Sequence, residues 1–108
     1  MKVSELLYDS RFRLLSTAVD TESKEVSGLY VGDLLSFVMS KAKQNEVWLT
    51  VQTHPNIIAI ASLLELSAIV VVEGGEVPQE TIELANEKGV VLIVSILDAV
   101  QIIKRLEI

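Results

Sequence analysis

The chain has no cysteine. Disulfides, thiolate-bound zinc, iron–sulfur ligation and thiol catalysis are therefore excluded. Histidine occurs once, as His54. With only carboxylates for company it has no second imidazole at metal-ligand spacing, so no metal site is expected. Basic residues are few, 9 Lys and Arg against 15 Asp and Glu, and the net charge is −6. They are scattered rather than clustered. Phosphate backbones need clustered positive charge, so no nucleic-acid partner is expected. An acidic membrane surface would repel such a chain. Long apolar runs are also missing, and none approaches the ~20 residues that cross a bilayer. The start, "MKVSELLYDSRFR", has no long apolar core behind its lysine and does not read as a signal peptide. A cytoplasmic protein is the expectation. No nucleophile-elbow signature marks a Ser–His–Asp set, and no carboxylate pair has a diagnostic context, so a non-catalytic role is expected.

What is present is apolar character in excess of size. Half of the 108 residues are hydrophobic and 22% are charged. The length suits one domain, 1–108. A small body has much surface to cover with polar groups, and the surplus apolar surface points to an oligomer interface, a homodimer in the simplest case.

Four β-branched runs recur, each followed by a polar turn and a helical pattern. They span 26–31, 47–51, 68–72 and 90–94. Their ends, Val31, Val51, Val72 and Val94, are 20 to 22 residues apart, the step of successive βα units. The runs are apolar on both faces, as strands of a covered parallel sheet must be. Ahead of them lie a short helix near 4–8, an edge strand near 12–15 and a polar loop, "STAVDTESKE". The expected architecture is α/β: a mainly parallel sheet of about five strands with helices on both faces.

Helix signals agree. Asp33 suits an N-cap, Pro78 a first helical position and Gly89 the residue just past a helix end. In the first helix Leu34, Leu35, Val38, Met39 and Ala42 form one apolar face. The last helix is expected to turn Leu97, Val100, Ile103 and Leu106 inward. The segment 56–66 is apolar nearly all round, with only Ser62 and Glu65 as a polar stripe. A helix of that kind is buried on all sides. Ile57, Ile60, Ala61 and Leu64 are therefore candidate subunit-interface residues, unless the N-terminal segment covers this helix instead.

Ligands of parallel sheets collect at the carboxyl ends of the strands. Those ends supply Asp33, then Gln52, Thr53, His54 and Asn56, then Glu73, Gly74 and Gly75. This is the candidate ligand set, with Glu76 beside it. Two roles are open for His54. It is a ligand-facing imidazole near helix N–H groups, or a residue at the start of a helix, bonded to its own turn, with Pro55 behind it. Gly74-Gly75 allows close approach of backbone to a ligand, or is a plain turn. Trp48 and Tyr30 lie within strands and are read as packing.

"VSGLYVGDLLSFVMSKAK", "WLTVQTHPNIIAIASLLELSAIVVVEGG" and "ETIELANEKGVVLI" together resemble a DRTGG domain over nearly the whole chain. The resemblance implies a three-layer α/β sandwich similar to the N-terminal domain of HPr kinase/phosphorylase. It also implies a bacterial regulatory and dimerising module, with an adenine nucleotide or related metabolite as the candidate ligand and no permanent cofactor. The alternative it implies is an adaptor working with a kinase or a hydrogenase-like iron–sulfur partner. The family's Asp-Arg pair is replaced here by Gln52-Thr53-His54, and its Thr-Gly-Gly by Glu73-Gly74-Gly75. Loss of the arginine removes the natural phosphate partner from these turns. Glu73 and Glu76 add repulsion, so nucleotide binding is expected to be weak.

Overall fold

The computed structural model describes residues 1–106. A 3₁₀ helix, Val3–Tyr8, leads into β1, Phe12–Leu14. The βα units follow as β2 Gly28–Val31, α1 Leu35–Lys41, β3 Glu46–Thr50, α2 Asn56–Leu64, β4 Ala68–Val71, α3 Gln79–Lys88, β5 Leu92–Ser95 and α4 Ala99–Leu106. The sheet order is β1-β5-β4-β3-β2. Strands β2 to β5 are parallel neighbours, and β1 joins β5 antiparallel. The expected strand ends hold to within one residue.

Because β2 to β5 follow one another across the sheet, right-handed crossovers place α1, α2 and α3 on the same face. That face holds one core, in which Val38, Ile57, Ile58, Ala61 and Ala85 meet Trp48, Ile69 and Leu92. The other face holds a second core. There Val3 and Leu6 of the 3₁₀ helix and Ile102 of α4 meet Val47, Leu49, Val70 and Ile93. Strand side chains alternate between the two, Trp48 and Ile69 to one and Leu49 and Val70 to the other, as a pleated strand requires. The result is the expected three-layer α/β sandwich.

Helix ends follow local chemistry, with three departures. Gly89, at φ 69°, closes α3 in the left-handed conformation, and its N–H reaches the Ala85 and Asn86 carbonyls. Glu65 takes the same conformation at φ 56°, which stops α2 at Leu64 rather than Leu66. Asp33 does not cap α1: the capping position is Leu34, without a side-chain bond. Pro78 is the N-cap of α3 rather than its first helical residue.

Two apolar faces were assigned differently by sequence and by packing. In α4, Val100 is 59% and Ile103 39% exposed, while Leu97 and Ile102 are buried. The chain carries two apolar stripes here, Ile96-Val100-Ile103 and Ala99-Ile102-Leu106, both at helical spacing. Docking on the 3₁₀-helix side of the sheet selects the second. In α1 the buried line is Leu35, Val38 and Ala42, with Leu34 and Met39 outside it. The α2 reading also needs correction as an interface. Ile57, Ile60 and Ala61 are 0%, 6% and 1% exposed within this one chain, and Leu64 is half-buried. Neighbouring α1 and α3 flank α2, so these four residues are spent inside the fold, while Leu63, 69% exposed, and Ala59 stay outside it. An interface on these four residues does not fit that packing.

Candidate functional site

The carboxyl edge of the sheet splits into two unlike halves. On the β2–β3 side the polar residues bind one another. Asp33 Oδ1 accepts from the Thr50 hydroxyl at 2.8 Å and from the Val51 amide at 2.9 Å. Gln52 Nε2 donates to the Asp33 carbonyl at 2.9 Å, and the Gln52 amide donates to Thr50 Oγ1 at 3.1 Å. Behind them the fully buried Trp48 donates from Nε1 to the Gly32 carbonyl at 2.8 Å. The β2–α1 turn and the β3–α2 turn are thus tied into one unit.

His54 belongs to the start of α2. Its Nδ1 accepts from the Asn56 amide at 3.1 Å, and its carbonyl accepts from the Ile57 amide at 3.0 Å. Pro55, at φ −51° and ψ −22°, is already helical. Of the two roles open in sequence, this geometry is that of the residue bonded to its own turn. Thr53 looks the other way along the edge. Its carbonyl accepts from Thr81 Oγ1 at 2.8 Å, anchoring α3. Its methyl lies 3.9 Å from where a Cβ on Gly75 would stand.

On the β4–β5 side a cleft of about 520 Å³ opens between the β4–α3 turn and β1. Topology explains it. α1, α2 and α3 each cover a pair of parallel strands, and no crossover follows β5 on that face, so the β5–β1 pair is left bare. The walls are Gly74, Gly75, Glu76 and Val77 on one side, and Ser10, Arg11 and Arg13 on the other. Leu15, Ile82, Val94, Ser95 and Ile96 complete it. Of the sequence-selected ligand set, Gly74 and Gly75 alone line this cleft. Glu73 is exposed beside it, at φ 61°. No contact brings His54 to Glu73 or Glu76 in the structure's hydrogen bonds.

Arg11 and Arg13 were missed because they come from a different part of the chain. Strand β1 pairs Phe12 with Ser95 and Arg13 with Val94. The pairing is prolonged by Ile96 N–H to the Arg11 carbonyl at 3.3 Å and Leu15 N–H to the Leu92 carbonyl at 2.8 Å. Phe12 faces the 3₁₀-helix core, so Arg11 and Arg13 emerge together on the opposite face. The signal available in sequence was the alternation "RFR" on an edge strand. Arg11 is gripped by Asp9, with Nη2 to Oδ2 at 2.7 Å and Nε to Oδ1 at 3.0 Å. Arg105 of α4 reaches the same carboxylate at 3.1 Å. Hydrogen bonds from Arg11, and then from Arg105, hold the Asp9 carboxyl well below the usual carboxylate range.

The turn itself is wound tightly. Glu73 and Gly74 are both left-handed, at φ 61° and 67°. Their amides are spent on the neighbouring β5–α4 loop: Glu73 N–H on the Leu97 carbonyl at 2.8 Å and Gly74 N–H on Ser95 at 2.7 Å. A Cβ at Gly75 would lie 3.2 Å from Val71 Cγ1, so a larger residue there would push on β4. A smaller depression of about 200 Å³ lies at the opposite, amino edge, around Asn45, Glu65 and Lys88. Among the described residues no three His, Asp or Glu side chains are grouped to hold a metal ion. Among the described residues no helix is long and apolar enough to cross a membrane.

No family model matches the sequence, and no curated protein matches it. A solved structure does. It comprises the CBS and DRTGG domains of the regulatory region of Clostridium perfringens pyrophosphatase, complexed with its activator diadenosine tetraphosphate. The TM-score is 0.69 at 14% identity, over 93% of this chain and 43% of that one. The chain thus spans less than half the length of that neighbour. At such identity the likeness establishes a shared fold.

Proposed function

We propose that this protein is a DRTGG-like, single-domain regulatory module that senses a small ligand at the carboxyl edge of its sheet and works as a homodimer. The observation that carries the reading is the cleft between the Gly74-Gly75 turn and β1, part apolar and part cationic. Among the described residues its lining includes no nucleophile–base pair, which favours binding over catalysis. The neighbour that shares the fold is a regulatory region bound to an activator, which supports the same class of role. An adenine nucleotide or related metabolite is the first ligand to test. A thermal-shift screen against nucleotides and metabolites, with and without divalent metals, is the direct experiment. A concentration-dependent rise in melting temperature with one compound class supports sensing. Turnover of any compound would replace the reading with an enzymatic one.

The proposed dimer would pair through the β2 edge. β2 ends the sheet and carries neither proline nor charge over Gly28–Val31. Such an edge is open to strand pairing. Val31, Leu34, Phe37 and Val51 gather around the adjoining turn, with Leu34 61% and Phe37 59% exposed. Sedimentation of the wild type and of Phe37→Glu tests this. The wild type should sediment as a dimer and the variant as a folded monomer.

A second reading is the protein-interaction adaptor. The exposed stripe Ile96-Val100-Ile103 on the opposite layer favours it. An adaptor would gain melting temperature only with a protein partner, and with no compound in the screen.

A further inference from the structure

The chain has three arginines, Arg11, Arg13 and Arg105. Arg11 and Arg13 line the cleft, and Arg105 shares Asp9 with Arg11. No lysine lines it. In a protein of net charge −6 this is a local reversal of sign. The turns of the carboxyl edge at 52–56 and 73–77 carry no arginine, and the fold brings Arg13 of β1 and Arg11 just before it to the second of them.

The two guanidinium groups are not equivalent. Asp9 answers the charge of Arg11. Among the described residues, Arg13 meets no carboxylate at ion-pair distance. Across the cleft, the amides of Gly75, Glu76 and Val77 have no acceptor among the described residues, unlike those of Glu73 and Gly74. The cleft is therefore lined by an arginine without a carboxylate partner and by three successive residues whose amides have no internal acceptor, beside an apolar floor of Leu15, Ile82 and Val94. Guanidinium and backbone N–H groups are donors only, and together they suit an acceptor-only, planar or tetrahedral anion. Glu76 stands exposed on the same rim. Its carboxylate sets an upper limit on ligand charge, because like charges at close range repel.

Resting on the sensing reading above, the geometry points to a site for a small organic anion. The ligand carries one carboxylate or one phosphate monoester, held between Arg13 and the amides of 75–77. Its apolar body lies on Leu15, Ile82 and Val94. Polyphosphates are disfavoured by Glu76.

The test is an amide and arginine-side-chain NMR titration of the full chain, using phenyl phosphate, benzoate, inorganic phosphate and inorganic triphosphate as probes. Phenyl phosphate or benzoate should move the amide signals of 75–77 and the Arg13 Nε signal, the first for a phosphate source and the second for a carboxylate source. Inorganic phosphate, lacking the body, should bind more weakly. Arg13→Gln should fold as the wild type does and weaken binding about tenfold or more, about 1.4 kcal/mol. Arg13→Lys should recover part of the loss, and Glu76→Gln should tighten binding. Shifts confined to residues 51–56 would overturn the assignment while leaving ligand sensing intact. No response to any probe would also overturn it, and a neutral compound found by thermal shift would then still support sensing. Tighter binding of triphosphate than of phenyl phosphate would overturn the single-anion limit.

Discussion

The two halves of the carboxyl edge both carry polar groups and leave them in different states. Around Asp33, Thr50, Gln52 and His54 the donors and acceptors are paired with one another. Around Gly75, Glu76 and Arg13 they are not. The comparison shows that a polar cluster between apolar elements has two explanations. It serves a ligand, or it satisfies the backbone groups that every turn leaves unpaired. Residue type does not separate these cases. The partners of each group do.

The largest effect should come from the core that both halves stand on. Ile57 is fully buried, and Ile57→Ala should cost about 2–5 kcal/mol in urea denaturation through lost burial and a residual cavity. A loss well under that range would mean that α2 is less enclosed than its packing shows.

The next effect separates the two halves directly. Asp33→Ala removes the partner of the buried Thr50 hydroxyl and of the Val51 amide. It should cost about 1–3 kcal/mol of stability and leave anion binding in the cleft unchanged. Arg13→Gln is the mirror case, in which binding falls while stability stays within about 0.5 kcal/mol, as for other exposed substitutions. If Asp33→Ala abolished binding at unchanged stability, the roles assigned to the two halves would be reversed.

His54→Ala refines the same contrast on a smaller scale. Loss of the Nδ1 acceptor at the start of α2 should cost about 0.5–2 kcal/mol, in line with other N-terminal caps. Melting temperature and calorimetric titration, measured on one preparation, check that binding does not follow.

The smallest effect is on acid stability. Asp9 is held below its ordinary carboxylate value chiefly by Arg11, Asp20 by Ser23 and Glu25 by Lys2. A depressed folded value means that the stabilisation is present at neutral pH. It begins to fade near pH 4, where the unfolded carboxylates take up protons first, and falls further toward the lower folded values. Asp9→Asn should lower neutral stability slightly and flatten the acid limb of a stability–pH curve. An unchanged limb would show that the Arg11–Asp9–Arg105 contact contributes nothing to folding.

The amino-acid sequence by itself determined the elements and their order. Strand ends at Val31, Val51, Val72 and Val94, the edge strand near Phe12 and the stop at Gly89 are all local signals. Period, turn residues and backbone conformation are properties of a few consecutive residues, so they are legible without the fold. Only the tertiary structure decided which apolar stripe of α4 goes inward, because the helix carries two of equal spacing. It also decided that Ile57, Ile60 and Ala61 are spent on the chain's own core, and that Asp33 reaches across to β3 instead of capping α1. Above all, it brought Arg11 and Arg13 to the Gly74-Gly75 turn. That meeting depends on β1 pairing antiparallel with β5, some 80 residues later in the chain, and no local pattern encodes a partner at that separation.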